Sequence, residues 1–334
     1  DPDLLKIVNS ANVACGYHAG DEETMDQVIT ISKENGVSIG AHPSFNDPEN
    51  FGRSRINLSA IEIRKLIIDQ YEILQNITME ININCDLGEK SKHHSNIHDP
   101  DLLKIVNSAN VACGYHAGDE ETMNQVIAIS KENGVSIGAH PSFNDPENFG
   151  RSRMNLNSNE IRKLIIDQYE ILQNIALKYN EQVSHIKPHG ALNNMACEDL
   201  ELATVIAKTI YEIDKQLIYL VPTGSKMEVS AKKLNMRIAC EIFADRNYED
   251  DGNLVSRQKS NALITDPEIA KKHVLSMVKN QALNCHSGKQ IPCEIDSVCI
   301  HGDNKSSLAT AKSIKENLLS NGLKLLPLNE MEKF

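Results

Sequence analysis

The chain contains part of itself twice. Residues 1–77 and 99–175 align without a gap, and 71 of the 77 positions are identical. The differences are Asp26/Asn124, Thr30/Ala128, Ile56/Met154, Ser59/Asn157, Ala60/Ser158 and Ile61/Asn159. Solenoid arrays drift until only core positions match, and they usually hold three or more units. Here surface and core match equally, and there are two copies. Two near-identical segments cannot fill one slot in one fold. The pattern is that of a recent partial duplication or of an error in gene assembly. Function is therefore sought in one intact unit, expected to run from Met79 to Phe334. Residues 1–78 are expected to be an incomplete duplicate of 99–175 and no independent domain.

A unit of that length fits one large α/β domain. The net charge of −12 argues against a nucleic-acid partner, whose affinity is built from Lys and Arg. No run of 18 apolar residues exists, so no transmembrane helix is expected. Neither Asp1 nor Met79 opens a secretory pattern, and a cytoplasmic location is expected. The eight Cys include no C-x-x-C pair and are expected to be reduced, mostly packed as small hydrophobes.

From Met79 short apolar runs alternate with longer helical patterns. The predicted strands are residues 81–85, 110–113, 135–139, 183–187, 217–221, 237–243, 297–300 and 324–326. They are rich in Ile and Val and bounded by Gly, Pro, Asn or Asp. Helices are predicted over 157–179, where apolar residues recur at i, i+3, i+4, over 119–133, and from Asp266-Pro267 onward. Such alternation means parallel βα units. Seven or eight of them predict a distorted (β/α) barrel, closed or nearly so. The duplicate would supply two of these strands, and alone it cannot close a barrel.

The strands end in unusual residues. They deliver Asp86 and Glu89, then His116 and Asp119, then His140, Lys187 and His189, Asp245 and Arg246, and finally His301 and Asp303. In a βα barrel all these ends share one rim, where active sites lie. Each residue has a structural alternative: the acids as helix N-terminal charges or caps, His116 and His140 as core histidines, Arg151 as part of a solvated loop. Six strands in succession are harder to explain that way. His93, His94 and His98 are assigned to an exposed loop. No P-loop, G-x-G-x-x-G or G-x-S-x-G pattern occurs. Asp with several His at one rim suits metal-assisted hydrolysis, or general acid–base catalysis without a metal.

At these residues the chain resembles the LamB/YcsF family. The matching stretches are NCDLGE (84–89), SANVACGYHAGD (108–119), GAHP (138–141), FGR (149–151), KPHGAL (187–192), FADR (243–246), LVSR (254–257) and HGD (301–303), in the family order. The resemblance implies a distorted barrel of the deacetylase-like kind. It implies ATP-dependent opening of 5-oxo-L-proline to L-glutamate, in a complex with two partner subunits. On this basis Asp86, His116, His140 and His189 are expected to be catalytic. Glu89, Asp119, Arg151, Lys187, Asp245, Arg246, His301 and Asp303 are expected to bind substrate. With no P-loop here, ATP is expected to be handled largely by the partners. A divalent metal is a possible cofactor, with Asp86, His116 and His140 as its candidate ligands. The competing expectations are a stand-alone metal-dependent deacetylase or amidase, and a non-catalytic subunit that binds a small acid.

Overall fold

The computed structural model describes residues 2–92, 94–301 and 307–334. The chain divides into two compact units: Asp1–Met79 with Leu318–Lys324, and Glu80–Asn317 with Leu325–Phe334.

Seven strands of the larger unit form a closed parallel ring: β1 (Glu80–Leu87), β2 (Ser108–Ala112), β3 (Ser136–His140), β4 (Val183–Ile186), β5 (Ile218–Pro222), β6 (Ile238–Phe243) and β7 (Ser297–Ile300). Each pairs with the next, and β7 pairs back onto β1 with Ser297 opposite Asn82. Closure removes both sheet edges. The eighth predicted strand forms as the short Lys324–Leu325 but takes no place in the ring. An antiparallel pair, Ala282–Asn284 with Gln290–Pro292, was not expected.

The helices begin where capping chemistry says they should. Asp119 accepts from Thr122 N at the start of Glu120–Glu132. Asn157 and Glu160 form a capping box before Ser158–Lys178. Asp266 caps Pro267–Asn280.

The barrel interior is polar. Asn82, Asn84, Ser108, Asn110, Ser136, His185, Glu241 and Ser297 are all buried. They bond to one another across the ring: Ser108 Oγ lies 2.6 Å from Ser136 Oγ, and Ser297 Oγ donates to Asn82 Oδ1 at 2.7 Å. Such a network holds only if its members are satisfied. His185 reaches inward because of Gly138, where the β3–β4 register shifts. A Cβ at Gly138 would sit 2.2 Å from the His185 ring.

The smaller unit repeats the local structure of its counterpart. Ser10–Ala14 pairs in parallel with Ser38–His42, and Glu22–Glu34 and Ala60–Thr78 are helical. Gln70 clamps the backbone of Ser44 as Gln168 clamps that of Ser142. Burial differs. Both strands of the later copy are buried throughout, whereas those of the first copy are mostly half-buried or exposed. The helix Ser158–Lys178 packs on Leu200–Ile213 and on the barrel, and its Ile161 and Ile165 are buried, but their counterparts Ile63 and Ile67 are 41% and 47% exposed. A parallel pair needs cover on both faces, and residues 1–77 do not contain the segments that supply it in the later copy.

Candidate functional site

The C-terminal rim of the barrel encloses a cavity of about 220 Å³. Its floor is built by three strand ends. β1 runs into Asp86 and Glu89, β3 ends in His140, and the turn after β4 presents Lys187 and His189. Backbone bonds fix that turn: Lys187 N donates to Ala139 O and His189 N to Pro141 O, at 2.9 and 2.8 Å. The loop from β3 then crosses beside it. Gly150 has φ +65°, and a Cβ there would lie 2.1 Å from Ser142 Oγ, 3.0 Å from His116 Cβ and 3.1 Å from His189 Cδ2. Only glycine lets this loop close over the imidazoles.

Three histidines and one glutamate converge at one point. The His116 and His189 rings stack with centroids 3.9 Å apart. Glu89 Oε1 lies 3.1 Å from His116 Nε2, 3.2 Å from His189 Nδ1 and 3.8 Å from His140 Nε2. His140 Nε2 and His189 Nδ1 are 2.9 Å apart. Two of the rings are steered by a main-chain carbonyl: His140 Nδ1 donates to Lys187 O at 2.7 Å, and His189 Nε2 to Phe149 O at 3.0 Å, whereas His116 Nδ1 is buried with no partner among the described residues. Burial, reinforced by neighbouring imidazoles, pushes His116 and His189 well below the ordinary histidine range.

Beside them lies a buried ion network. Lys187 Nζ meets Asp86 Oδ1 at 2.9 Å, Cys299 Sγ at 3.1 Å, Glu241 Oε2 at 3.2 Å and Asn84 Oδ1 at 3.3 Å. An ammonium has three hydrogens, so these four acceptors leave none for a ligand. Lys187, expected to bind substrate, lines the cavity but spends its donors on the protein. Burial opposes the charge of Lys187, yet Asp86 and its other neighbours hold it well above the usual lysine range. Burial likewise opposes ionisation of Asp86, but His140 and Lys187 outweigh it and keep the carboxyl well below the usual value. Glu241 is raised by burial, with Lys187 offsetting part of the effect. Asp86 Oδ2 remains 3.4 Å from His140 Nε2.

The opposite wall carries cations. His301 Nδ1 lies 2.9 Å from Asp245 Oδ1. Burial works against the imidazolium, but the Asp245 carboxylate lifts it to about 9. Arg246, Arg257 and Arg151 also face the cavity. Arg246 donates to Val255 O at 2.7 Å, and its Nε is buried with no partner among the described residues. The guanidinium of Arg151 sits 5.0 Å over the Phe149 ring.

This chain belongs to the LamB/YcsF family. The family model matches it twice, over residues 1–80 and 81–333. Over 252 residues it is 40% identical to a 5-oxoprolinase subunit of Clostridium beijerinckii, covering 75% of this chain and 99% of that protein. The corresponding 5-oxoprolinase subunit of Staphylococcus aureus is also 40% identical, over 75% of this chain and 100% of its own length. A lactam utilization protein from Thermus thermophilus has a solved structure that superposes with a TM-score of 0.70. It is 32% identical, over 74% of this chain and 99% of that one.

Within the LamB/YcsF unit the rim expectation can be followed residue by residue. Asp86, Glu89, His140, Arg151, Lys187, His189, Arg246 and His301 line the cavity. His116 is fully buried behind them, and Asp245 holds His301. Asp119 stands apart: it is exposed, caps its helix and lies 3.9 Å from Lys90. Asp303 and His93 lie outside the described residues. The side chains able to share an ion are Glu89, His116, His140 and His189, while Asp86 groups with Cys299 and His301. His94, expected on an exposed loop, is half-buried and lines the cavity, its ring 5.7 Å from that of Phe149. Glu241 and Cys299 were missed. They lie inside β6 and β7, where alternation read from one sequence does not separate a polar barrel interior from the outer face.

Proposed function

We propose that this chain is the lactam-binding subunit of an ATP-dependent 5-oxoprolinase, opening 5-oxo-L-proline to L-glutamate with two partner subunits. The observation that carries the proposal is the small cavity whose acid–imidazole floor faces an arginine-bearing wall. At about 220 Å³ it suits a compact metabolite.

An unstrained five-membered lactam is a stable amide. Transfer of the terminal phosphoryl group of ATP to the lactam oxygen makes the ring carbon electrophilic. One water then adds to that carbon, the ring C–N bond breaks, and the nitrogen takes a proton. A second water releases phosphate from the resulting acyl phosphate, leaving glutamate and ADP. The partners supply most of the nucleotide site in this scheme.

The residues divide the work. Arg246, with its unpartnered Nε, takes the substrate carboxylate, and Arg151 and Arg257 meet the phosphate. Asp86, kept anionic by Lys187, accepts the proton from water. His301, held protonated by Asp245, offers a proton to the leaving nitrogen. His116 and Glu89 hold the floor in place.

The test is reconstitution with the partner subunits. Glutamate and ADP should form in equal amounts from 5-oxo-L-proline. His301→Ala, which removes the proton donor, should lower the rate on the order of 10²–10⁴-fold while the melting curve stays largely in place. Glutamate released without ATP or partners would instead support the stand-alone amidase. Binding of 5-oxo-L-proline without turnover in the full complex would make the chain a non-catalytic binding component.

A further inference from the structure

We propose that Glu89, His116, His140 and His189 form a site for one divalent transition-metal ion of the borderline class, for which zinc is the natural probe. The first reason is a count of hydrogens. A carbonyl oxygen only accepts, so the 2.7 Å contact with Lys187 O puts the hydrogen of neutral His140 on Nδ1. The 3.0 Å contact with Phe149 O likewise puts that of neutral His189 on Nε2. The two remaining lone pairs, on His140 Nε2 and His189 Nδ1, then face each other at 2.9 Å. Glu89 Oε1 points into the same space, 3.8 and 3.2 Å from them. These three acceptors converge with no hydrogen between them unless one proton is shared, and a bound cation would satisfy all three together with His116 Nε2, which lies 3.1 Å from Glu89 Oε1.

The second reason is size. Bonds of about 2.0–2.1 Å to a tetrahedral ion require ligand atoms about 3.3–3.4 Å apart. The separations here are 2.9, 3.1, 3.2 and 3.8 Å, and one ligand atom from each of the four residues lies within 4.8 Å of the others. The third reason is orientation. Metal-binding imidazoles usually donate their second N–H to a carboxylate, a main-chain carbonyl or water. His140 and His189 both do so. Three imidazoles and one carboxylate favour zinc, nickel or iron over magnesium or calcium. Glu89, His140 and His189 also line the cavity, so an ion there would be open to a bound ligand and would polarise an oxygen placed against it.

The site shares the cavity floor of the proposed lactam reaction, but metal binding is tested without turnover, so its failure is distinguishable from failure of that reading. The full chain is stripped with a chelator, and zinc is titrated against a chromogenic competitor. One equivalent per chain should bind, and zinc should raise the melting temperature. Cobalt should give the visible absorption of a four-coordinate ion. In His140→Gln and in Glu89→Gln, affinity should fall by more than about 100-fold, beyond the roughly 10–100-fold cost of losing a group that merely orients a ligand. Circular dichroism of the metal-free variants shows that they are folded. Uptake below a tenth of an equivalent by folded protein overturns the proposal, as does binding unchanged in both variants. A nitrogen NMR signature of one proton shared between His140 and His189, persisting in excess zinc, also overturns it.

Discussion

Lys187→Met removes the only cation among the described residues that touches both Asp86 and Glu241. Methionine has a similar length, so the main change is electrostatic. The ammonium is 2.9 Å from one carboxylate and 3.2 Å from the other, and all three residues are at least nine-tenths buried. Removing one partner of a buried pair typically costs about 3–5 kcal/mol, because the charge left behind is uncompensated. For a domain of this size that corresponds to a fall in melting temperature on the order of 10 °C. The loss should depend on pH. Burial already raises Glu241, and without the lysine it rises further. A carboxyl raised in the folded state contributes stability below its unfolded value of about 4.3 and loses it as pH climbs through the folded value. The deficit should therefore be larger near pH 8 and shrink as pH falls toward 5 and the raised carboxyl takes up its proton. Adding Glu241→Gln to the variant should recover about half of the loss at pH 8. Urea unfolding of the main transition, followed by circular dichroism at both pH values, measures this. A loss below about 1 kcal/mol at pH 8, or an equal loss at both, would refute the assignment of Lys187 as the counter-charge of the floor.

Two further outcomes are expected. Deleting residues 1–78 should preserve or improve solubility and activity, since the duplicate carries His18, His42 and Arg53 but no counterpart of Asp86, Glu89 or His189; a loss of activity in the reconstituted complex would assign it a role. The Asp245–His301 pair should stabilise the fold most below about pH 6.5 and lose that contribution as pH rises to about 9. Asp245→Asn should thus cost stability at pH 6.5 and little at pH 9.5, and a difference that does not change with pH would count against the ion pair.

Most of the architecture was legible because it rests on local signals. Asp119, Asn157 and Asp266 mark helix starts through their own side chains, and all three do cap. The rim was legible because topology gathers strand ends without any knowledge of side-chain contacts. What lay hidden was the division of labour within the rim. Lys187 is an ordinary polar residue in a motif; only three-dimensional neighbours show that it is saturated by buried acceptors. Glu241 was hidden because its neighbours in sequence, Cys240 and Ile242, are apolar and its partner is Lys187, far away along the chain.

The uncovered face of Ala60–Thr78 has a consequence in time. During synthesis the first copy leaves the ribosome before any barrel strand exists, and N-terminal segments tend to fold first. Its Ile63 and Ile67 then wait for the cover that Leu200–Ile213 gives the matching helix of the later copy. When that helix emerges, it meets two helices with nearly the same face. Docking on the earlier one would leave Ile161 and Ile165 bare and the barrel open. If the two helices compete in this way, slower elongation between residues 80 and 200 would give the first copy longer to rearrange or to associate with another chain.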